Sequence, residues 1–461
     1  MFASGLVDSA LIRLFRFRTR GFLKMQETDG RVPPVPAEGG CYLYVHVPFC
    51  EVLCPFCSFH RVQHCHDLAV RYFAALRTEI RRYHEAGFKF SGVYFGGGTP
   101  TTEPDELLAT IALVKELFGV KEVSVETNPK DLQEPLLSKL RAGGVTRLSV
   151  GVQSFDDQLL QEMDRYAKYG SGADTAERIR NAAAMFPTFN VDLIFNQPHQ
   201  TVASLERDLE IFLSLGANQV SCYPLMTSPT TLRRMQGAMG TPDRRRLRKL
   251  FRAILRKLQP AGFAASSAWC FTRRGPARSR AQDAEARASA LAHEERNGDE
   301  YIVASENYVG VGSGAFSYLD GALYATTFSL NAYEQRIRDG LTGIVTRHQL
   351  STGDALRYTL LTRMFGLGLD REWARQRHGR KFFWRLWGEL RTLELLGAAD
   401  RTARGWQLTP DGMYWLMLMM SEFFESVNAY RDAMRAHVRA ELESTGQRAL
   451  PSTRERAVAC G

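Results

Sequence analysis

The chain has 461 residues, 44% of them hydrophobic and 24% charged, enough for one large domain plus a smaller one whose cores need neither disulfides nor metal merely to fold. No run of 18 apolar residues occurs, which argues against a transmembrane helix, and eight cysteines in so long a chain exclude a secreted disulfide scaffold. The net charge of +9 fits either a solvated Arg-rich surface or attraction to an anionic membrane face or nucleic acid.

Residues 1–40 read as a leader. Val7, Ala10, Leu11, Leu14 and Phe15 follow helical spacing, with Arg13, Arg16 and Arg20 on the other side. A basic helix of this kind, over 6–20, either docks on its own domain or lies in a membrane interface. The stretch lacks the continuous apolar core and cleavage site of a signal peptide. A Pro-rich connector at 32–36 follows. Strands are predicted at 42–47, 92–95, 122–126, 147–152, 190–195 and 219–224, with helices at 67–86, 103–117, 136–141, 156–163, 174–185 and 204–215. Repeated βα units predict an α/β fold with a parallel sheet, as a full or partial barrel. Active residues then belong at the carboxyl ends of its strands.

Cys50, Cys54 and Cys57 stand on one loop after the first strand, in a C-x3-C-x2-C spacing. Three thiolates so placed wrap one corner of an iron–sulfur cube and leave the fourth iron open to a ligand. Zinc is the rival, with His46, His60, His64 or Cys65 as the fourth ligand. The loop's place, after a barrel strand and before a glycine-rich strand end, favours the cluster. His46 and His60 otherwise read as satisfied structural histidines.

Gly96-Gly97-Gly98-Thr99-Pro100 ends the next strand. Small residues let backbone approach a ligand, and free amides can bind a carboxylate; alone, the run reads as a turn. Glu126 ends the following strand and suits ribose hydroxyls or a helix cap. Gln153, Asp156 and Arg165 lie near another strand end; standing alone they read as a helix cap and a surface ion pair. Asp192 sits inside an apolar strand, where a buried carboxylate needs partners.

Residues 273–297, rich in Arg, Ala and Glu, read as a flexible insertion. From about 350 the βα rhythm stops. Helices are predicted there, then a short pair of strands around 398–408, then a long helix from Pro410, like a winged-helix module. The domain reading is a leader at 1–40, a catalytic domain at 41–345, a helical domain at 346–440 and a polar tail at 441–461. Arg-rich helices within 371–391 read as solvated faces and a wing fold need not bind DNA, so no nucleic-acid partner is expected.

With these residues in hand, the chain resembles the coproporphyrinogen dehydrogenase-like (HemN-like) branch of the radical S-adenosylmethionine enzymes. The matched segments are 44–59, 96–101, 126–129, 151–156 with Arg165, 190–194 and 310–318. The resemblance implies a partial (β/α) barrel, a 4Fe–4S cluster held by the three cysteines, and two S-adenosylmethionine molecules. Tyr44, Gly97 and Glu126 would serve the cluster-bound molecule. Phe56, Gly98, Thr99, Gln153, Arg165 and Asp192 would serve the second, and Phe316 would contact the first adenine.

Two departures stand out. The porphyrin enzymes continue with Gly-Cys after the third cysteine, whereas Ser58-Phe59 follows here. The haem-chaperone relatives carry His-Asn before a Tyr-Trp pair, and that motif is missing from 299–308. The details are similar to family members that methylate menaquinone at ring position 8, in segments 165–172, 299–303, 312–321, 327–330 and 419–424. That likeness implies a methyltransferase. The first molecule's deoxyadenosyl radical would abstract hydrogen from the second molecule's methyl group, and the methylene would join an sp² ring carbon. It also implies a lipid quinone substrate and a reduced flavodoxin- or ferredoxin-type electron donor. A cytoplasmic location with peripheral contact at the inner membrane surface would follow, with the helix at 6–20 suited to that contact. The alternatives are an oxygen-independent coproporphyrinogen III oxidase and a non-enzymatic haem chaperone. Tyr223, Tyr308 and Tyr318 are candidates to accept the final proton.

Overall fold

The computed structural model describes residues 2–19, 22–37, 40–273 and 306–444. Most of residues 273–297, and the match at 299–303, lie outside the described residues. So does the chain after Ser444.

The body is one large sheet. Its seven parallel strands run in the order Asn307–Val311, Cys41–Val47, Phe90–Gly97, Glu122–Thr127, Arg147–Gln153, Thr188–Phe195 and Gln219–Pro224. Antiparallel strands extend both edges, ending at Gln26–Glu27 on one side and Phe263–Ala265 on the other. Among the described residues these two end strands do not pair with each other, so the barrel is partial.

Every residue of Cys41–Val47 is buried, as expected for a parallel strand covered on both faces. The helix His66–Glu85 covers one face with Tyr72, Phe73, Leu76, Ile80 and Tyr83 at helical spacing. Its buried Glu79 accepts hydrogen bonds from the amides of Gly312 (2.9 Å) and Gly343 (2.7 Å) and the Tyr333 hydroxyl (2.7 Å). A charge removed from water needs such partners, and here they bolt the helix across two distant loops.

The chain beyond 350 is mainly helical and carries a three-stranded antiparallel sheet. Ala399–Arg401 and Gly405–Leu408 match the predicted wing. The third strand, Gly368–Asp370, arises where helix was expected, because it pairs with Gly405–Leu408. The last helix runs Pro410–Ser444, past the boundary placed at 441.

The leader forms the helix Phe2–Thr19, and it is docked. Leu11 and Phe15 pack on the core. Asp8 accepts from Arg248 Nη2 (2.7 Å), Tyr414 Oη (3.1 Å) and Trp415 Nε1 (3.0 Å). Arg16 pairs with the buried Glu422 at 2.5 Å. Leu11 and Phe15 of the face read as suited to a membrane are therefore turned inward, while Ala10 and Leu14 stay exposed. The chain just before the Pro-rich connector is likewise tied down, with the Gly30 carbonyl accepting from the Thr342 amide at 2.8 Å. Among the described residues no helix is long and apolar enough to cross a membrane.

Candidate active site

The carboxyl ends of the central parallel strands open into one cavity of about 270 Å³. Its wall brings together Cys50, Cys54, Cys57, Tyr44, Phe56, Gly97, Gly98, Thr99, Glu126, Gln153, Arg165 and Asp192. Phe316 is the predicted site residue left off this wall. It packs on Tyr430 at 5.8 Å and lies behind Arg431, whose guanidinium sits 5.5 Å from its ring.

The cysteine loop is held by its neighbours. Arg61 Nη2 donates to the carbonyls of Cys54 (2.6 Å) and Cys57 (2.9 Å). Ser58 Oγ donates to Thr231 Oγ1 (3.1 Å) and accepts from the Ser228 amide (3.2 Å), joining the loop to the helix Pro229–Ala238. Burial, then neighbouring Cys57, pushes the Cys50 thiol up to about 12. A cationic centre is what would draw such thiols into the thiolate form. Among the described residues no three His, Cys, Asp or Glu side chains gather around a single ion position.

His46 is buried in the wall behind the glycines. Its Nε2 donates to the His60 carbonyl (2.9 Å), so Nδ1 accepts from the Tyr44 hydroxyl (3.0 Å). Burial lowers its pKa to about 4, so the ring is neutral and structural, as expected. Gly97, at φ +112°, is required here: a Cβ would meet the His46 ring at 2.4 Å. The expected free amides are a different matter. Gly97 N–H donates to Glu126 Oε2 (3.0 Å), Gly98 N–H to the Val47 carbonyl (2.7 Å) and Thr99 N–H to the Phe49 carbonyl (2.7 Å). The run is built to let two strands and Glu126 close together, and its amides are already used.

Glu126 also accepts from Tyr94 Oη at 2.9 Å, and does not cap the next helix. Burial, then the nearby Asp192, raises it to about 7. Asp192 accepts from Ser149 Oγ (2.9 Å) and Asn190 Nδ2 (2.8 Å), and burial raises it to about 6. The network expected of a buried carboxylate is present, and the carboxylate also faces the cavity.

Gln153 has φ +75° at a bulge in its strand, a left-handed conformation that costs energy in a non-glycine residue. The loop after it is pinned by Asp208, which accepts from the Phe155 amide and Ser154 Oγ, both at 2.8 Å. Asp156 caps the next helix through the amides of Gln158 and Leu159. Arg165 is not a surface ion pair. It is buried, lies 4.3 Å over the Tyr169 ring, and donates to the Gly151 carbonyl and to Cys54 Sγ (3.6 Å).

The side of the cavity supplied by Phe59, Tyr223, Met226, Trp269, Phe424, Asn428 and Arg431 was largely missed by sequence reasoning. Phe424 lay in a matched segment and Tyr223 was a proton-acceptor candidate. Trp269 and Arg431 carried no local signal. Tyr308 and Tyr318 are buried in the core near Tyr358, off the cavity wall.

These residues fit a 4Fe–4S cluster with S-adenosylmethionine. Three thiols free of disulfides line one cavity. Arg165 Nε beside them is a buried donor without a protein acceptor, a group that a bound anionic ligand would satisfy.

The model of the radical SAM superfamily matches residues 44–212. The haem chaperone HemW of Bacillus subtilis is 29% identical over 288 residues, 60% of this chain and 71% of its own length. The oxygen-independent coproporphyrinogen III oxidase of Bradyrhizobium diazoefficiens is 29% identical over 345 residues, 72% of this chain and 74% of its own. Among solved structures, the coproporphyrinogen III oxidase HemN of Escherichia coli superposes with a TM-score of 0.67 at 23% identity, covering 84% of this chain and 90% of that one. Its fold is therefore shared. A cysteine loop at the mouth of a partial barrel and buried carboxylates on its strands accord with the radical SAM match over residues 44–212, in a chain that is similar to the HemN and HemW proteins.

Proposed function

We propose that this enzyme transfers a methyl group to an sp² ring carbon of a lipid quinone, most simply position 8 of menaquinone. The observation that carries the reading is the aromatic side of the cavity. Tyr223 and Trp269 meet edge to face at 5.2 Å, and Trp269 and Phe424 lie 5.8 Å apart. With Phe59 and Met226 they form an apolar slot suited to a flat, uncharged ring. The cavity has three arginines on its wall. Arg61 and Arg165 are bonded into the cluster side, and Arg431, hydrogen-bonded to Asn428 at 2.8 Å, is the cation of the aromatic side. A substrate with several carboxylates would ask for more.

Cys50, Cys54 and Cys57 would hold the cluster, with Arg61 fixing their loop. Tyr44, Gly97 and Glu126 would bind the cluster-bound S-adenosylmethionine, and Gln153, Arg165 and Asp192 the second molecule. When bound, these groups supply a 5′-deoxyadenosyl radical and a transferable methyl carbon. The chain's own contribution is placement. The strand ends set ribose-binding carboxylates opposite the aromatic slot, and Phe424 and Trp269 exclude water. Of the three candidate proton acceptors, Tyr223 is the one on the cavity wall.

The second reading is oxygen-independent oxidation of coproporphyrinogen III. It is favoured by the names of the relatives, one of them matching 72% of this chain. Reconstituted enzyme given reductant, S-adenosylmethionine and either substrate separates the two. Methylated quinone, with both deoxyadenosine and S-adenosylhomocysteine formed, supports the first. Carbon dioxide from coproporphyrinogen, with deoxyadenosine and no S-adenosylhomocysteine, rejects it.

A further inference from the structure

Half of the large apolar side chains that stand in water among the described residues fall between 384 and 396: Trp384 (83% exposed), Trp387 (69%), Leu395 (72%) and Leu396. A surface helix ordinarily turns its polar residues outward. In the helix Trp387–Leu395, Leu390 is buried and Leu393 packs on the core, yet Trp387, Arg391 and Leu395 recur at i, i+4 and i+8 as an exposed stripe. Leu396 and the exposed Leu14 share the wall of an apolar groove of about 300 Å³ between the first helix and the C-terminal helices. The exposed apolar strip therefore continues onto a second element.

The charge around it is one-sided. Residues 371–404 hold nine arginines and lysines against four carboxylates, a net +5 of the chain's +9. Three of those carboxylates are taken: Glu372 pairs with Arg375 at 3.4 Å, Glu389 with Arg357 at 3.0 Å and Glu394 with Arg391 at 2.7 Å. Arg371, Arg380, Lys381, Arg385, Arg401 and Arg404 form no ion pair among the described residues. Two of these cations flank one ring. The Arg371 and Arg401 guanidiniums lie 5.5 and 6.0 Å from the centre of Trp406, on a hollow that Trp387 and Arg391 also line. Glu394, the carboxylate of that hollow, already accepts from Trp406 Nε1 at 2.7 Å. What remains on offer there is positive charge.

We infer that this face, built from the short helices between 371 and 396 and the wing strands beside them, docks on the surface of an anionic phospholipid bilayer. Lipid phosphates meet the arginines, while Trp384, Trp387 and Leu395 enter the headgroup layer. Tryptophan is favoured at that depth, and a basic patch is drawn to anionic lipid. The arginines of 371–391 alone fit a solvated face; the tryptophans and leucines exposed among them do not. Nucleic acid is a poorer occupant, because its phosphates would answer the arginines and leave Leu395 and Leu396 unmatched. A bilayer takes up the charge and the hydrocarbon together. The inference holds whatever the substrate, and it places the main membrane contact away from the first helix, whose Leu11 and Phe15 are held by the core.

Cosedimentation of the full-length reconstituted enzyme with vesicles tests it, in about 0.1 M salt, where charges still act over about 10 Å. Vesicles of phosphatidylcholine with phosphatidylglycerol are expected to bind the wild type about tenfold or more tightly than phosphatidylcholine alone. Lys381→Glu with Arg385→Glu should weaken that binding about tenfold or more. Trp384→Ser with Trp387→Ser should weaken it about tenfold at unchanged net charge. Lys89→Glu with Lys121→Glu alters net charge as much, at exposed lysines beside the amino ends of the strands Phe90–Gly97 and Glu122–Thr127. That control should stay within about twofold of wild type, since the charges lie away from the face. All six side chains are exposed, so each variant should unfold at the wild-type midpoint, which separates a lost contact from a lost fold. Equal binding to both kinds of vesicle, wild-type binding by either variant of the face, or an equal loss in the control would overturn the inference. So would tighter binding of duplex DNA or of polyglutamate than of vesicles, at equal concentration of negative charge, because the face would then serve nucleic acid or an acidic protein.

Discussion

On one side of the C-terminal helix, Glu126 and Asp192 are buried carboxylates raised to about 7 and about 6, and Gln153 is held in a left-handed backbone. On the other side, the groove is leucine, methionine and phenylalanine around Arg357, which pairs with Glu389 and Asp354 at 3.0 Å each. The cavity concentrates groups that destabilise the unligated fold, and ligands are what would repay them. The groove asks nothing of the backbone, since helix faces at ordinary spacing make it. A substitution in the cavity is therefore expected to trade function against stability, whereas one among the groove's buried residues, such as Phe22, Met364 or Leu416, costs stability alone.

The largest test of that separation is Cys54→Ala. It should remove the cluster's visible absorbance and take turnover to background, while the midpoint of thermal unfolding stays within a few degrees of the wild-type value. Loss of the folded transition as well would mean that the two spaces fold as one unit.

Arg165→Leu comes next. It deletes a buried guanidinium from the S-adenosylmethionine side, and hydrogen bonds to charged groups are worth about 1.5–3 kcal/mol. Affinity for S-adenosylmethionine, measured by equilibrium dialysis, should fall roughly 10- to 100-fold.

Glu126→Gln tests the trade directly. A rise from the ordinary 4.5 to about 7, at about 1.4 kcal/mol per tenfold change in proton affinity, is a penalty of about 3 kcal/mol for the ionised form. The penalty is absent below pH 4.5, grows as pH rises, and is complete above about 7. The unligated wild type should lose stability across that window, and the Gln variant should not. Thermal unfolding as a function of pH reads this, and S-adenosylmethionine binding should weaken in the same variant. Parallel pH profiles would show that Glu126 is not buried as described.

Asp8→Ala has the smallest effect. It cuts the bonds to Arg248, Tyr414 and Trp415 that dock the first helix, at about 1–2 kcal/mol. The midpoint of thermal unfolding should drop by a few degrees, and binding to anionic vesicles should rise as the helix is released. Unchanged vesicle binding would remove the first helix from any membrane role.

Much of the catalytic side was legible in the sequence because it is local. Cys50, Cys54 and Cys57 share one loop, Gly97, Glu126 and Gln153 lie at or next to the ends of strands whose hydrophobic pattern is plain, and Asp192 is a lone carboxylate inside another. The opposite side was not legible. Trp269 and Arg431 come from segments far along the chain, and long-range packing leaves no periodic trace of which residue will face a cavity. Phe316 stands off the cavity wall for the same reason, with the Arg431 guanidinium 5.5 Å from its ring. The glycine run was read as a source of amides; only the paired strands reveal that those amides are spoken for. Ser58-Phe59 could be seen as a departure but not explained until Ser58 met Thr231 and Phe59 lay 5.0 Å under Arg431.

The C-terminal helix that walls both spaces also has a place in time. The ribosome makes the cysteine loop among the first sixty residues and the helix that covers it some 350 residues later. During that interval the three thiols belong to a barrel without its cover, open to whatever machinery delivers iron and sulfide. Arrival of Phe424 and Arg431 then ends the period of easy access, so the order of synthesis favours loading the cluster before the door is hung.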